Sequence, residues 1–156
     1  MKLVIFGLTV SSSWGNGHAT PWRGLIKALG RRGHRVVFFE RDTPYYASHR
    51  DLEALEGGQL RLYRDWAEVR PVADAELRDA DVAIVTSYCP DGVAACELML
   101  ASPARLRVFY DMDTPVTLEC LEKGDTVQYL PPRGLGDFDL VLSFAGGRAL
   151  TELQTR

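Results

Sequence analysis

Short apolar runs recur along the chain, and most are continuous: V-I-F, V-V-F-F, V-A-I-V, V-F-Y and L-V-L. A strand with one face in water alternates apolar and polar residues. A strand that is apolar throughout is buried on both faces, as in a parallel sheet covered by helices. The runs predict strands over Lys2–Gly7, Arg35–Glu40, Leu60–Tyr63, Val82–Ser87, Arg107–Asp111 and Asp139–Phe144. Between them lie helical patterns. Trp22, Leu25, Ile26 and Leu29 stand at i, i+3, i+4, i+7 and predict a helix over Thr20–Arg32. Pro21 sits in its first turn, and Gly33 suits a left-handed cap. Shorter helices are predicted over Val93–Ala101, Thr117–Glu122 and Gly147–Gln154, while Asp65–Asp79 is polar and only weakly periodic. This β-α alternation predicts a single α/β domain over residues 1–156. It is Rossmann-like and three-layered, with a mostly parallel sheet of about six strands and helices on both faces.

Composition narrows the function. The net charge of −3 leaves no basic excess, which argues against a nucleic-acid partner. Cys89, Cys96 and Cys120 form no C-x-x-C, so neither a disulfide frame nor a zinc site is expected, and the compartment reads as reducing. The apolar run at Leu3–Phe6 is too short for a signal peptide or a membrane span. The expected location is the cytoplasm.

In a sheet of this kind ligands sit beyond the carboxyl ends of the strands. There the chain places Ser11-Ser12-Ser13-Trp14-Gly15-Asn16-Gly17-His18, then Glu40, then Ser87-Tyr88 and Asp91, then Asp111-Met112-Asp113-Thr114, then Gly146-Gly147. The first connection runs to roughly ten residues, where two to six are usual. Gly15 and Gly17 would let backbone N–H groups approach a ligand. Ser12, Ser13 and Asn16 supply hydroxyl and amide groups, and Trp14 a flat apolar face. His18 is a candidate general base as a neutral imidazole. Asp111 or Asp113 could orient it; as a D-x-D pair they could instead bind a metal, or Asp113 or Thr114 could cap the next helix. His34 and His49 are assigned no role. Glu40 lies 23 residues after Gly17, where a dinucleotide fold keeps the acid that holds a ribose hydroxyl. The G-x-G, however, begins eight residues after Gly7, and Thr20 stands where the third glycine belongs.

Several segments, V-I-F-G-L-T-V-S-S-S-W-G-N-G-H-A-T, G-H-R-V-V-F-F-E-R-D-T-P-Y-Y-A-S-H-R-D-L, Y-C-P-D-G, F-Y-D-M-D-T-P-V-T-L and D-L-V-L-S-F-A-G-G, resemble the N-terminal half of CgeB-like bacterial glycosyltransferases. These are similar to two-domain GT-B enzymes. W-G-N-G-H and D-M-D-T-P are the most specific parts. The resemblance implies an acceptor-side domain binding a small-molecule or glycan acceptor. Its co-substrate, a nucleotide-sugar, would be held by a C-terminal donor domain that these residues do not include, so the chain alone would be inactive. No other cofactor and no metal is implied. By topology, His18 with Asp111 or Asp113 would form the catalytic pair of an inverting enzyme. Ser12, Ser13, Trp14, Gly15, Asn16, Gly17, Glu40, Tyr88, Asp91, Thr114, Gly146 and Gly147 would line the substrate crevice. A non-catalytic binding domain and an NAD(P)-linked Rossmann enzyme are the alternatives.

Overall fold

The computed structural model describes residues 1–155. Six strands form one sheet: β1 (Lys2–Gly7), β2 (Arg35–Arg41), β3 (Gln59–Tyr63), β4 (Val82–Thr86), β5 (Leu106–Asp111) and β6 (Leu140–Ser143). All neighbours pair in parallel, in the order β3-β2-β1-β4-β5-β6, so the sheet is Rossmann-like and wholly parallel. β1 pairs with β2 and β4, and every one of its residues is buried. That burial explains its unbroken apolar run.

The helices are α1 (Ala19–Arg31), α2 (Pro44–Ala47), α3 (Trp66–Leu77), α4 (Gly92–Leu100), α5 (Thr114–Lys123) and α6 (Arg148–Leu153). α1 buries Trp22 and Ile26 as the periodicity predicts, and it ends at Gly33, whose φ of 76° is the left-handed conformation a glycine adopts cheaply. α3 forms despite Pro71, because Asp65 Oδ1 caps it by accepting from the N–H groups of Ala67 and Glu68 (2.8 and 3.3 Å). α5 starts three residues ahead of its predicted Thr117, since Pro115 in the first turn costs no hydrogen bond. The four-residue α2 has no sequence period to reveal it.

Strand alternation sends Val4, Phe6, Val85 and Phe109 to one face, under α3, α4, α5 and α6. Leu3, Ile5, Phe38 and Ile84 face the other way, under α1 and the segment carrying Leu52 and Leu55. That second layer reaches from Leu60 on β3 to Val108 and Tyr110 on β5 and includes no residue of β6. On β6 Leu140 and Leu142 remain 40% and 39% exposed, and Phe144 beyond them is 65% exposed. No helix among the described residues is long and apolar enough to cross a membrane.

Candidate functional site

The strand order reverses between β1 and β4, which neighbour one another while their following helices lie on opposite faces. A crevice opens at such a point, beyond the carboxyl ends of the two strands. His18 enters it from the end of the β1–α1 loop, Ser87 and Tyr88 from the end of β4, and Asp113 from the end of β5.

His18 Nε2 lies 2.9 Å from Asp113 Oδ2, and Ser87 Oγ donates to the same oxygen at 2.8 Å. Ser87 Oγ in turn accepts the Met112 N–H at 2.9 Å, which fixes its hydroxyl hydrogen toward Asp113. His18 is 5% exposed, and its Nδ1 is buried without a hydrogen-bond partner among the described residues. A bare lone pair is the less costly group to leave unpaired there. The tautomer with its hydrogen on Nε2 therefore fits both residues, and His18 donates to Asp113. Asp113 Oδ1 has no hydrogen-bond partner among the described residues and is not buried. The carboxylate oxygen left free is thus Asp113 Oδ1. The nitrogen the sequence reading would use as a base, the one not bound to the aspartate, is turned into the protein.

Asp111 is fully buried. Its Oδ1 accepts the Asp113 N–H at 2.9 Å, and its Oδ2 has no partner among the described residues. Burial holds its carboxyl above the ordinary range. It shapes the turn that presents Asp113 from below and does not reach a ligand, so the D-x-D pair is not a metal-ligating arrangement. No group of three or more His, Cys, Asp or Glu side chains among the described residues could hold a metal.

Tyr88 is the one described non-glycine residue with positive φ, 57°. A bulky side chain held there stores roughly 1–3 kcal/mol of strain and is the kind of outlier that marks functional sites. Its ring meets the His18 ring edge-on at 6.3 Å and is 43% exposed. Desolvation and the Asp113 charge raise its phenol, so the hydroxyl remains a hydrogen-bond donor.

The long β1–α1 loop is held from beneath by Glu40. Its Oε2 accepts the N–H groups of Val10 (2.7 Å) and Ser11 (2.9 Å), and its Oε1 the hydroxyls of Thr9 (2.9 Å) and Ser11 (2.5 Å). Glu40 is completely buried. Both its oxygens are occupied, so it cannot hold a ribose hydroxyl. Ser12 is also fully buried, and its Oγ donates to the His49 carbonyl at 2.8 Å. Ser13 is exposed and binds Asp51. Asn16 Oδ1 accepts the N–H groups of His18 and Ala19 (2.9 and 3.2 Å), sparing two donors at the start of α1. Gly15 has φ 63°, and a Cβ there would stand 2.5 Å from the Tyr45 hydroxyl. Gly17 has nothing within 4 Å of where its Cβ would be and faces open space.

The remaining candidates lie apart from this cluster. Asp91 is spent on Arg41 Nη1 (3.0 Å) and the Tyr63 hydroxyl (2.9 Å). Thr114 is buried, with its hydroxyl on Ser143 Oγ at 2.7 Å. Gly146 and Gly147 follow β6, three strands from β1 and so roughly 14 Å away across the sheet. Cys89 and Cys96 are buried, and burial pushes the Cys89 thiol up to about 12. Sequence reasoning missed Ser87 as a partner of Asp113. It also missed His49, which stacks on Trp14 with ring centroids 4.5 Å apart and planes 5° from parallel. The position of Ser87 at a strand end next to β1 was the available signal for the first; nothing in the irregular β2–β3 connection announced the second. Comparison with known protein families, with curated proteins and with solved structures finds no match.

Proposed function

We propose that this chain is the acceptor-side domain of a GT-B-type glycosyltransferase, one that transfers a sugar from a nucleotide-sugar. The observation that carries the reading is the His18–Asp113–Ser87 arrangement at the sheet's switch point, with one carboxylate oxygen held by two donors and the other open. The acceptor hydroxyl lies against Asp113 Oδ1 and gives it a proton. The hydroxyl oxygen bonds to the donor's anomeric carbon as the bond from that carbon to phosphate breaks, and the nucleoside diphosphate leaves toward the donor domain. His18 and Ser87 fix the carboxylate plane, and Tyr88 offers its hydroxyl to the substrate. The likeness of W-G-N-G-H and D-M-D-T-P to CgeB-like enzymes supports the same reading.

The test is turnover, with nucleotide-sugar donors, by an enzyme that joins this domain to its donor domain. A positioned base contributes ~10²–10⁴-fold, so Asp113→Asn should lower kcat by that order and change KM little. His18→Gln retains an amide donor for Asp113 and should keep more activity than His18→Ala. Turnover by Asp113→Asn within tenfold of the parent would sink the assignment.

A further inference from the structure

Trp14 is 54% exposed, so it fills no gap beside α1. It is nevertheless held in one pose. His49 covers one of its faces in the near-parallel stack, and the loop ties down the backbone that carries both rings. The Ser12 hydroxyl donates to the His49 carbonyl, and the Asn16 amide donates to the carbonyls of Ser12 and Trp14 (3.0 and 3.1 Å). His49 Nδ1 sits 2.9 Å from both the Tyr45 carbonyl and the Ser48 hydroxyl. Tyr45, also 54% exposed, lies 5.9 Å from His49 between ring centroids. The Tyr45 hydroxyl lies against Gly15, whose φ of 63° disfavours any side chain there. Two connections far apart in sequence thus cooperate to hold an indole with one face supported and one face in water. Pre-arranging a flat side chain in this way removes the ordering cost from a binding step.

The surrounding charges select the ligand. The Arg23 guanidinium is bound to Asp51 at 2.5 Å, and that of Arg50 to Asp42 at 2.7 Å. Arg23 and Arg50, the two cations nearest the stack, are therefore already held by carboxylates, with Arg64 sharing Asp42 from farther out. Asp51 Oδ2, which accepts only the Ser13 hydroxyl among the described residues, keeps an oxygen lone pair for a sugar hydroxyl. An uncharged ring with an apolar face and a polar edge fits; a nucleotide does not. Trp14 and His18 are four positions apart, so their Cα atoms are at most ~14 Å apart. That span is one a short oligosaccharide can cover, so one acceptor could lie on Trp14 and reach Asp113.

We propose that the Trp14–His49 stack, flanked by Tyr45, is a subsite for a neutral saccharide ring of the acceptor, which is accordingly a glycan or glycoside rather than a phosphorylated compound. This rests on the acceptor-side reading above.

Calorimetric titration of the purified chain with maltohexaose, cellohexaose and chitohexaose, and with uridine diphosphate as the anionic control, tests it. At least one neutral oligosaccharide should bind saturably. Trp14→Ala should weaken that binding at least tenfold, and Trp14→Phe, which keeps a flat ring, by less. Both variants should keep the parent's melting temperature, since the side chain is exposed. Failure of all three saccharides to bind at millimolar concentration would overturn the proposal. So would unchanged binding by Trp14→Ala, or uridine diphosphate binding that depends on Trp14. Those results would leave the transfer chemistry standing, because that is read separately from the kcat of Asp113→Asn.

Discussion

Asp111 and Asp113 are two residues apart, yet only one of them meets the crevice. Asp111 is fully buried, and burial raises it above the ordinary carboxylate range. The folded state then holds its proton more tightly than the unfolded chain does. Its contribution to stability is present below the unfolded value of ~4 and is lost as pH rises through the folded one. Asp111→Asn keeps an acceptor for the Asp113 N–H and cannot ionise. In urea unfolding, the variant should therefore gain on the parent between pH 4.5 and 8, by at most ~1.4 kcal/mol per pH unit. A difference that stays flat, or that favours the parent more at pH 8, would show that Asp111 is stabilised as an anion. Sequence reasoning could pair His18 with an aspartate because β1 is central and β5 lies two strands away. It could not choose between the two aspartates, since that depends on how the backbone turns after the last strand residue. Nor could it tell which imidazole nitrogen Asp113 would take, and that detail moves the proton acceptor from His18 to Asp113.

Among the elements, the strands were legible because burial on both faces leaves an unbroken apolar run, and α1 because Trp22 and Ile26 follow the helical period. α3 was the hardest of the longer helices to read: Pro71 interrupts it and most of its surface is polar, so its cap and its contacts with the sheet outweigh its composition. The β1–α1 loop looked like a ligand wall throughout. Half of it is instead an internal scaffold, because Glu40 at the end of β2 gathers Thr9, Val10 and Ser11 around one carboxylate. A ribose-binding acid and a loop-binding acid occupy the same place in sequence, and only the fold distinguishes them. Glu40→Ala would leave two buried N–H groups unpaired at ~1–3 kcal/mol each, so a loss of roughly 3–5 kcal/mol is expected. Glu40→Gln keeps an oxygen for both N–H groups while the two hydroxyls can rotate, and should cost less. Chemical denaturation of the two variants gives the order; a loss under ~1 kcal/mol for Glu40→Ala would mean that water replaces the clamp.

At the scale of the whole molecule, the sheet is covered unevenly, with four helices on one face and α1 on the other. The wholly parallel order β3-β2-β1-β4-β5-β6 is the one shared by dinucleotide-binding enzymes, so topology alone leaves an NAD-linked function open. The details at the switch point argue against it. A dinucleotide site needs a tight glycine turn leading directly from β1 into α1, so that the pyrophosphate meets the helix N-terminus. Here residues 8–18 intervene, and the N–H groups of Val10 and Ser11 among them are turned onto Glu40. Such a site also needs an acid free at the end of β2, and Glu40 is spent. Finally, the α1 N–H groups of His18 and Ala19 are already taken by Asn16. All three requirements fail together, and they fail through hydrogen bonds that would have to break before the cofactor could enter. Calorimetric titration with NAD and NADP should accordingly show no binding tighter than millimolar, about −4 kcal/mol. Micromolar binding, about −8 kcal/mol, would require the Glu40 clamp to open and would replace the transfer reading with an oxidoreductase one. Glu40→Gln separates the two cases: it should weaken NAD binding if Glu40 holds the ribose, and should leave the absence of binding unchanged if Glu40 holds the loop.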